Sequence, residues 1–299
     1  MNILLTGGTG FLGRSIIEYF SKRHKIYAAY RNSKGATKRN VKWIHIDLTE
    51  INDFKNAQSI LREAGIDVII HAGGATPNRA YADGNFDSTT IGTKNLVETA
   101  KILSIRKIIF ISSISVLFSK GPYAASKKEA ERTIISSDLD YVILRPETMI
   151  GPGAKDFNRV ADMIAKHRIF PIIGSGNNTT QPIASIDVLR MIEKTLSMKK
   201  LNNKIYPAVG RDILTTKDML QKISDAKGKN ITFMHIPLWL AYAASWIAGR
   251  VYPRLGLNCE RVRIMSYSRH YSLEHLKDFG IRNDSLKSFD DMICFLKMR

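Results

Sequence analysis

Tyr123-Ala-Ala-Ser-Lys127 sets a phenol and a primary amine four positions apart, ahead of a run of helix formers from Lys128 to Ile135. On a helix, that spacing puts both groups on one face. A free phenol has a pKa of about 10, too high to exchange protons readily at neutral pH. A nearby ammonium group stabilises the phenolate and lowers that value. Tyr123 can then act as general acid or base on a carbonyl or hydroxyl group. A serine at the end of the preceding apolar strand, Lys107-Ile-Ile-Phe-Ile-Ser-Ser113, could hold the substrate oxygen. Tyr-x-x-x-Lys is common by chance, so its weight depends on what comes before it.

What comes before it is a glycine turn at the start of the chain. Ile3, Leu4 and Leu5 read as a short apolar strand, Thr6 to Gly13 as a turn, and Ser15 to Ser21 as a helix. Gly7, Gly10 and Gly13 have the spacing that serves a tight turn, close approach of backbone to a pyrophosphate, and close packing of helix on strand. The helix N-terminus adds backbone N–H donors and partial positive charge for phosphates. The flanking strand and helix are the context such a motif requires. Together they predict a bound dinucleotide.

The elements that must carry these groups alternate along the first half. Lys25 to Tyr30 reads as the second strand and Val41 to Ile46 as the third, with a helix over Ile51 to Glu63. Asp67 to Gly74 is an apolar strand opening into small residues, as a strand end needs where a dinucleotide crosses it. His71 on that strand reads as packed and hydrogen-bonded rather than catalytic. Thr90 to Ile102 has helical spacing of Leu96, Val97 and Ala100, and Tyr141 to Arg145 adds a strand ending at Pro146. Strands alternating with helices predict a parallel sheet covered by helices on both faces. The second half changes character after the turn cluster Gly151-Pro-Gly153. Val160 to Arg168 looks helical, Phe170 to Ile173 extended, and Gly174 to Thr180 a polar loop. A helix starts near Asp187, read as its N-cap. Lys204 to Val209 could return a strand to the main sheet, and Thr215 or Thr216 caps a helix through Ser224. The expectation is a dinucleotide-binding domain over 1–150, with 183–210 returning to it. A smaller substrate lobe of 151–182 and 211–299 is interleaved with it.

The end of the second strand usually decides which cofactor binds. An acid there hydrogen-bonds the ribose hydroxyls of NAD, and an Arg accommodates the 2′-phosphate of NADP. Here stand Tyr30, Arg31 and Asn32, followed by Lys34, Lys38, Arg39 and Lys42. NADP is therefore the expected cofactor and NAD the alternative, with Arg31 as the phosphate partner and Arg14 assisting. At the end of the third strand, Asp47 can accept from the adenine amino group while Leu48 packs on the ring.

Composition sets limits. At 44% hydrophobic residues over 299 positions, a large core can form and a folded chain is expected. Two cysteines, Cys259 and Cys294, suggest neither a disulfide framework nor a metal site. The net charge of +18 favours anionic partners: nucleotides, nucleotide sugars, nucleic acid or acidic lipid. Nucleic acid would require a reading helix, aromatic platforms or a known module, and none is found. The chain opens on a core strand with no signal peptide ahead of it, so a cytoplasmic setting is expected. Ile236 to Gly249, followed by Arg250, is too short and interrupted to span a bilayer. It reads as a helix packed inside the second lobe. The other arrangement is an interfacial helix, which would give weak association with a membrane surface. A homodimer is also compatible with the sequence.

These residues together resemble the extended short-chain dehydrogenase/reductase family, also called the NAD-dependent epimerase/dehydratase family. The resemblance runs through nearly the whole chain and is strong up to about Asp187. Thr6-Gly-Gly-Thr-Gly-Phe-Leu-Gly13 is similar to the family's cofactor motif, Asp47-Leu48 to its adenine-contacting pair, and His71-Ala-Gly-Gly74 to its small-residue strand end. Ser112-Ser-Ile-Ser-Val116 looks like its serine motif, and Tyr123 and Lys127 match its tyrosine–lysine pair. Arg145-Pro146, Gly151-Pro-Gly153 and Gln181 to Asp187 are further landmarks. The resemblance implies a Rossmann-type doubly wound sheet. It also implies a cofactor lying against Gly7, Thr9, Gly10, Phe11, Leu12, Gly13, Ala72, Gly73, Tyr123, Lys127 and Pro146. Ser113, Tyr123 and Lys127 would be catalytic, with hydride exchanged between cofactor and a sugar carbon, commonly on a nucleotide sugar.

Three departures bear on function. Ser113 and Tyr123 are only about ten positions apart, where sugar epimerases carry a longer insertion. Thr89 stands in place of the family's asparagine in the helix before the serine strand. Arg31 replaces the acid of the NAD type. Exchangeable NADPH suits net reduction, so the expected activity is an NAD(P)-dependent oxidoreductase reducing or epimerising a (nucleotide-)sugar. The alternatives are a nucleotide-sugar 4-epimerase or dehydratase with tightly bound NAD, an enzyme of lipid-like alcohols, and a non-catalytic NADP-binding structural or redox-sensing subunit.

Overall fold

The computed structural model describes residues 1–75, 86–199, 201–251 and 259–298, with side chains at 248–251, 260, 261 and 298 outside the description. In chain order the first elements are β1 (Asn2–Thr6), α1 (Phe11–Phe20), β2 (Lys25–Tyr30), β3 (Val41–His45), α2 (Ile51–Ala64), β4 (Val68–His71), α3 (Asp87–Ile102), β5 (Lys107–Ile111), α4 (Pro122–Ile135) and β6 (Asp140–Pro146). There follow β7 (Met149–Ile150), α5 (Lys155–Lys166), β8 (Ile169–Ile173), β9 (Thr179–Thr180), β10 (Ile183–Ala184), α6 (Ser185–Leu196) and β11 (Lys204–Ala208). The last are β12 (Leu214–Thr215), α7 (Thr216–Ala226), β13 (Thr232–Ile236), α8 (Leu238–Val251), α9 (Cys259–Ser266) and α10 (Phe289–Ile293). They divide into two compact units, Met1–Pro146 with Leu189–Pro207, and Glu147–Val188 with Ala208–Arg299.

The first unit is built on a seven-stranded parallel sheet in the order β11-β6-β5-β4-β1-β2-β3. The order reverses between β1 and β4, and open α/β sheets of this kind bind ligands at the carboxyl ends of the strands beside such a reversal. Ile3, Leu4 and Leu5 of β1 are fully buried, the mark of a central parallel strand covered on both faces. On one face Leu96, Val97 and Ala100 of α3 and Ala130 and Ile134 of α4 share a core with Leu4, Ile69 and Ile108. Each fully buried Leu, Ile or Val contributes about 1.5–3 kcal/mol.

The opening turn is tighter than its sequence suggests. The first helix begins at Phe11, inside the glycine stretch, not at Ser15. Gly7 adopts φ +73, which L side chains rarely tolerate. A Cβ on Gly13 would lie 2.0 Å from the Gly7 carbonyl oxygen, so the helix seats directly on the turn.

The second unit has three short strand pairs: β7 with β10, antiparallel β9 with β12, and parallel β8 with β13. The expected polar loop after Gly174 therefore ends in β9. Thr215 caps α7, accepting from the Asp218 N–H. Asp187 is no N-cap. It sits in the first turn of α6, fully buried, and its carboxylate accepts the Lys287 N–H at 2.9 Å. A buried ion pair joins the residue after β6 to the C-terminal part. Glu147 meets Arg269 at 3.3 Å and accepts from Thr180 Oγ1 at 3.1 Å. Beside it, Gln181 accepts the Tyr271 N–H and donates to the Gly210 carbonyl, each at 2.8 Å.

The apolar segment forms α8, but it is not packed inside its lobe. Only Ala241 and Ser245 are buried among its described side chains, while Trp239 is 71% and Trp246 56% exposed. The flanking Arg250 side chain lies outside the described residues.

Packing at the opening turn yields a prediction. Gly13→Ala, which drives a methyl into backbone, should lower unfolding free energy by about 1–3 kcal/mol or more and weaken dinucleotide affinity. Gly65→Ala, at the left-handed cap of α2 with open space around it, should cost about 1–2 kcal/mol and leave affinity unchanged. Denaturant melts and nucleotide titrations of the two variants check this.

Candidate functional site

Lys127 and Tyr123 lie one turn apart on α4, as their spacing requires. Lys127 is buried, and its Nζ donates to the Ile111 carbonyl at the end of β5 at 3.0 Å. The same ammonium stands 4.9 Å from the centre of the Phe110 ring, a cation–π contact. Burial pulls its pKa from 10.5 down to about 8, against the opposing pull of the Glu131 carboxylate. Tyr123 is half-buried near the start of the helix.

Glu131 continues the stripe one turn beyond Lys127, and sequence reading passed over it. It is buried, accepts Arg145 Nε at 2.8 Å and Nη2 at 2.5 Å, and accepts the Ser112 hydroxyl at 2.5 Å. The first serine of the pair is thus tied inward. The second, Ser113, caps the short 3-10 turn Ile114–Leu117, accepting from the Ser115 N–H at 3.2 Å and its hydroxyl at 2.9 Å. A carboxylate eight positions after Tyr123 on the same face was the available signal.

The end of β4 meets the same helix. An added Cβ on Gly74 would lie 2.8 Å from Thr89 Oγ1 and 3.6 Å from Lys127 Nζ. Thr89 is fully buried and accepts the Ala75 N–H at 2.9 Å. His71 is a structural residue: Thr6 Oγ1 lies 2.6 Å from its Nδ1, Thr93 Oγ1 3.0 Å from its Nε2, and Phe110 stacks on it. Burial first, then the Lys127 charge, lowers its pKa to about 3, so it is neutral at physiological pH. Thr6 Oγ1 also accepts the Gly73 N–H at 3.0 Å, binding the ends of β1 and β4 together.

The residues expected at a dinucleotide form a second group. Thr9 and Gly10 are exposed on the turn, Phe11 is half-buried, and Leu12 and Gly13 point into the core. Arg14 donates to the Thr9 carbonyl at 2.6 Å and braces the turn. No side chain caps α1, which leaves its first N–H groups to an anion. A Cβ on Gly7 would come within 2.5 Å of the Ala72 carbonyl, and one on Gly73 within 2.7 Å of Leu48 and 2.8 Å of Thr6 Oγ1. A Cβ on Gly10 would meet only the Gly7 carbonyl within 4 Å. The result is a cradle with glycine-tight walls and an open lip, which fits a pyrophosphate. Arg31 and Asp47 face one another, Nε to Oδ2 at 3.9 Å, while Asp47 Oδ1 accepts from Thr49. Leu48 is already buried against Gly73 and Gly92. Pro146 is buried at the end of β6, and Ala72 is half-buried.

A glycine cradle at a sheet reversal, with a tyrosine–lysine helix beside it, defines the class of NAD(P)-dependent short-chain dehydrogenase/reductase enzymes. The comparisons narrow this. A family model described as "NAD dependent epimerase/dehydratase family" matches residues 3–207. The UDP-glucose 4-epimerase of Vibrio cholerae is 23% identical over 264 residues, 80% of this chain and 79% of that one. The 2-alkyl-3-oxoalkanoate reductase of Stenotrophomonas maltophilia (strain K279a) is 26% identical over 294 residues, 87% and 86% of the two chains. The complex of the Thermus thermophilus UDP-glucose 4-epimerase with NAD superposes with a TM-score of 0.75 at 19% identity, covering 99% and 98%. The chain belongs to the NAD-dependent epimerase/dehydratase family.

The depressed Lys127 pKa has a pH signature. The native state holds this amine less protonated than the unfolded chain between about pH 8 and 10.5, so wild-type stability rises with pH across that window. Relative to Lys127→Met, the wild type should gain about 3 kcal/mol between pH 7.5 and 10.5. Denaturant unfolding of both proteins at each pH tests this, and parallel curves would refute it.

Proposed function

We propose that this protein is an NADP-dependent reductase of a keto group on an anionic substrate, with a nucleotide sugar as the substrate class, acting in the cytoplasm. The observation that carries the reading is the buried Lys127 ammonium, pinned to the Ile111 carbonyl one turn from Tyr123 and facing the small-residue end of β4.

A bound dinucleotide would supply the hydride, and the Gly7–Gly13 cradle with Asp47, Ala72, Gly73 and Pro146 would hold it. Tyr123 donates a proton to the substrate oxygen as it becomes a hydroxyl. Lys127 stabilises the phenolate left behind and would also be the residue that holds the nicotinamide ribose. Ser113 already accepts two hydrogen bonds from Ser115, so its own hydroxyl proton serves as donor to the same substrate oxygen. Glu131, held in place by Arg145, offsets part of the cost of keeping Lys127 charged. The first unit is the cofactor-binding domain and the second the substrate lobe.

Arg31 supports NADP. It is the cation at the end of β2, about 43% exposed, and its single described carboxylate partner, Asp47, stands at 3.9 Å. A contact that long leaves the guanidinium available to a 2′-phosphate, which it can bind bidentately. The +18 net charge suits a pyrophosphate-bearing substrate.

Tyr123→Phe should lower turnover of keto sugars by about 10²–10⁴-fold with NADPH affinity retained; unchanged turnover would remove Tyr123 as proton donor. Arg31→Asp should reverse the preference for NADPH over NADH in titrations of the two nucleotides. An unchanged ratio, or NAD released from the purified protein, would return the chain to the tightly bound NAD of an epimerase.

A further inference from the structure

We propose that the exposed apolar face of α8, together with the outer side of the β8–β13 ribbon, docks on an anionic lipid bilayer. This inference is independent of the nucleotide reading. Both elements belong to the second unit.

An α-helix advances 100° per residue, which places Trp239, Ala243 and Trp246 on one stripe with Leu240 and Ile247 beside it. Trp239, Trp246, Ile247 and Leu240 are 71, 56, 55 and 44% exposed, and no charged residue occurs from Leu238 to Ile247. The stripe is apolar apart from indole N–H groups. The strand pair before it in the chain adds outward-facing apolar residues. Phe170 and Ile172 of β8 are buried, so the alternate residues face outward. The parallel register pairs Ile169 with Thr232 and Pro171 with Met234, and Ile169 and Met234 are 59 and 52% exposed. A single residue, Pro237, separates β13 from α8. Soluble monomers rarely expose a cluster of large apolar side chains without a use for it.

Charge identifies what covers it. Lys166 and Arg168, exposed immediately before Ile169, and Lys229, exposed just before β13, form a basic rim at one end of the ribbon. Arg263 on α9 is also exposed. From Ala226 to Leu273 the sequence holds one acidic residue, Glu260. A second copy of the chain would bring a like-charged rim to this face, which is unfavourable. Anionic headgroups match the rim, and tryptophans are favoured at the depth where acyl chains meet headgroups. At 14 residues α8 is about 21 Å long, short of a hydrocarbon core of about 30 Å. Among the described residues no helix is long and apolar enough to cross a membrane. The geometry is that of a helix lying in the interface plane.

The test is co-sedimentation of the full chain with phosphatidylcholine vesicles and with phosphatidylcholine–phosphatidylglycerol vesicles, at low and high salt. The expected result is binding to the anionic vesicles, about tenfold weaker on neutral ones, with a blue shift of tryptophan emission. Trp239→Ser with Trp246→Ser should reduce partitioning at least about tenfold. Lys166→Glu with Arg168→Glu changes only exposed side chains, so it keeps the test decisive if the tryptophan variant misfolds; it should abolish the preference for anionic lipid. A chain that stays in the supernatant with both vesicles overturns the proposal. So does a dimer, seen by light scattering, that the tryptophan variant converts to monomer without any vesicle binding. A face taken up by a protein partner in place of lipid overturns it as well.

Discussion

An ammonium group taken out of water is the constraint around which the first unit is arranged. Lys127 has given up hydration for one carbonyl, one aromatic face and the field of a carboxylate a turn away. Such exchanges hold only when the partners cannot move. Ile111 ends a central strand, Phe110 is buried beneath it, and Glu131 is clamped by Arg145 from β6. The charge therefore stands at a fixed height over the carboxyl ends of the sheet. A group brought to that edge would meet a positive charge whose partners are already in place.

The same edge is shaped by missing atoms. Gly7, Gly13 and Gly73 let backbone approach backbone at distances that a methyl group would forbid, and Thr6, His71 and Thr93 hold the two central strand ends in register with buried hydrogen bonds. Rigid walls of this kind determine how deep a ligand can settle. Burial behind these walls keeps His71 neutral, and the nearby Lys127 charge adds to the effect.

Much of this could be read along the chain. Local periodicity carries the strand–helix alternation, and continuous apolar runs such as Ile3–Leu5 and Val68–Ile70 announce buried parallel strands. The tyrosine–lysine spacing and the glycine turn are legible because each is confined to one helix or one turn. Pairs between distant elements left no such trace. Glu131 with Arg145, Glu147 with Arg269, and Asp187 with the Lys287 N–H each depend on a topology that local pattern does not encode. The apolar helix α8 misled for a related reason. With no polar face in its sequence, nothing local indicates which side turns inward, so packing inside the second lobe is the natural expectation for a helix that the structure leaves largely exposed.

The order in which the chain visits its two units has a consequence for biosynthesis. The edge strand β11 closes the sheet against β6, yet more than fifty residues intervene between them, most of them belonging to the other unit. Synthesis proceeds at about 5–20 residues per second, so β6 emerges from the ribosome with a bare edge and waits seconds for its partner. An unpaired strand edge is a template for wrong pairing. The nascent chain is thus most vulnerable when the first unit is nearly, but not yet, complete.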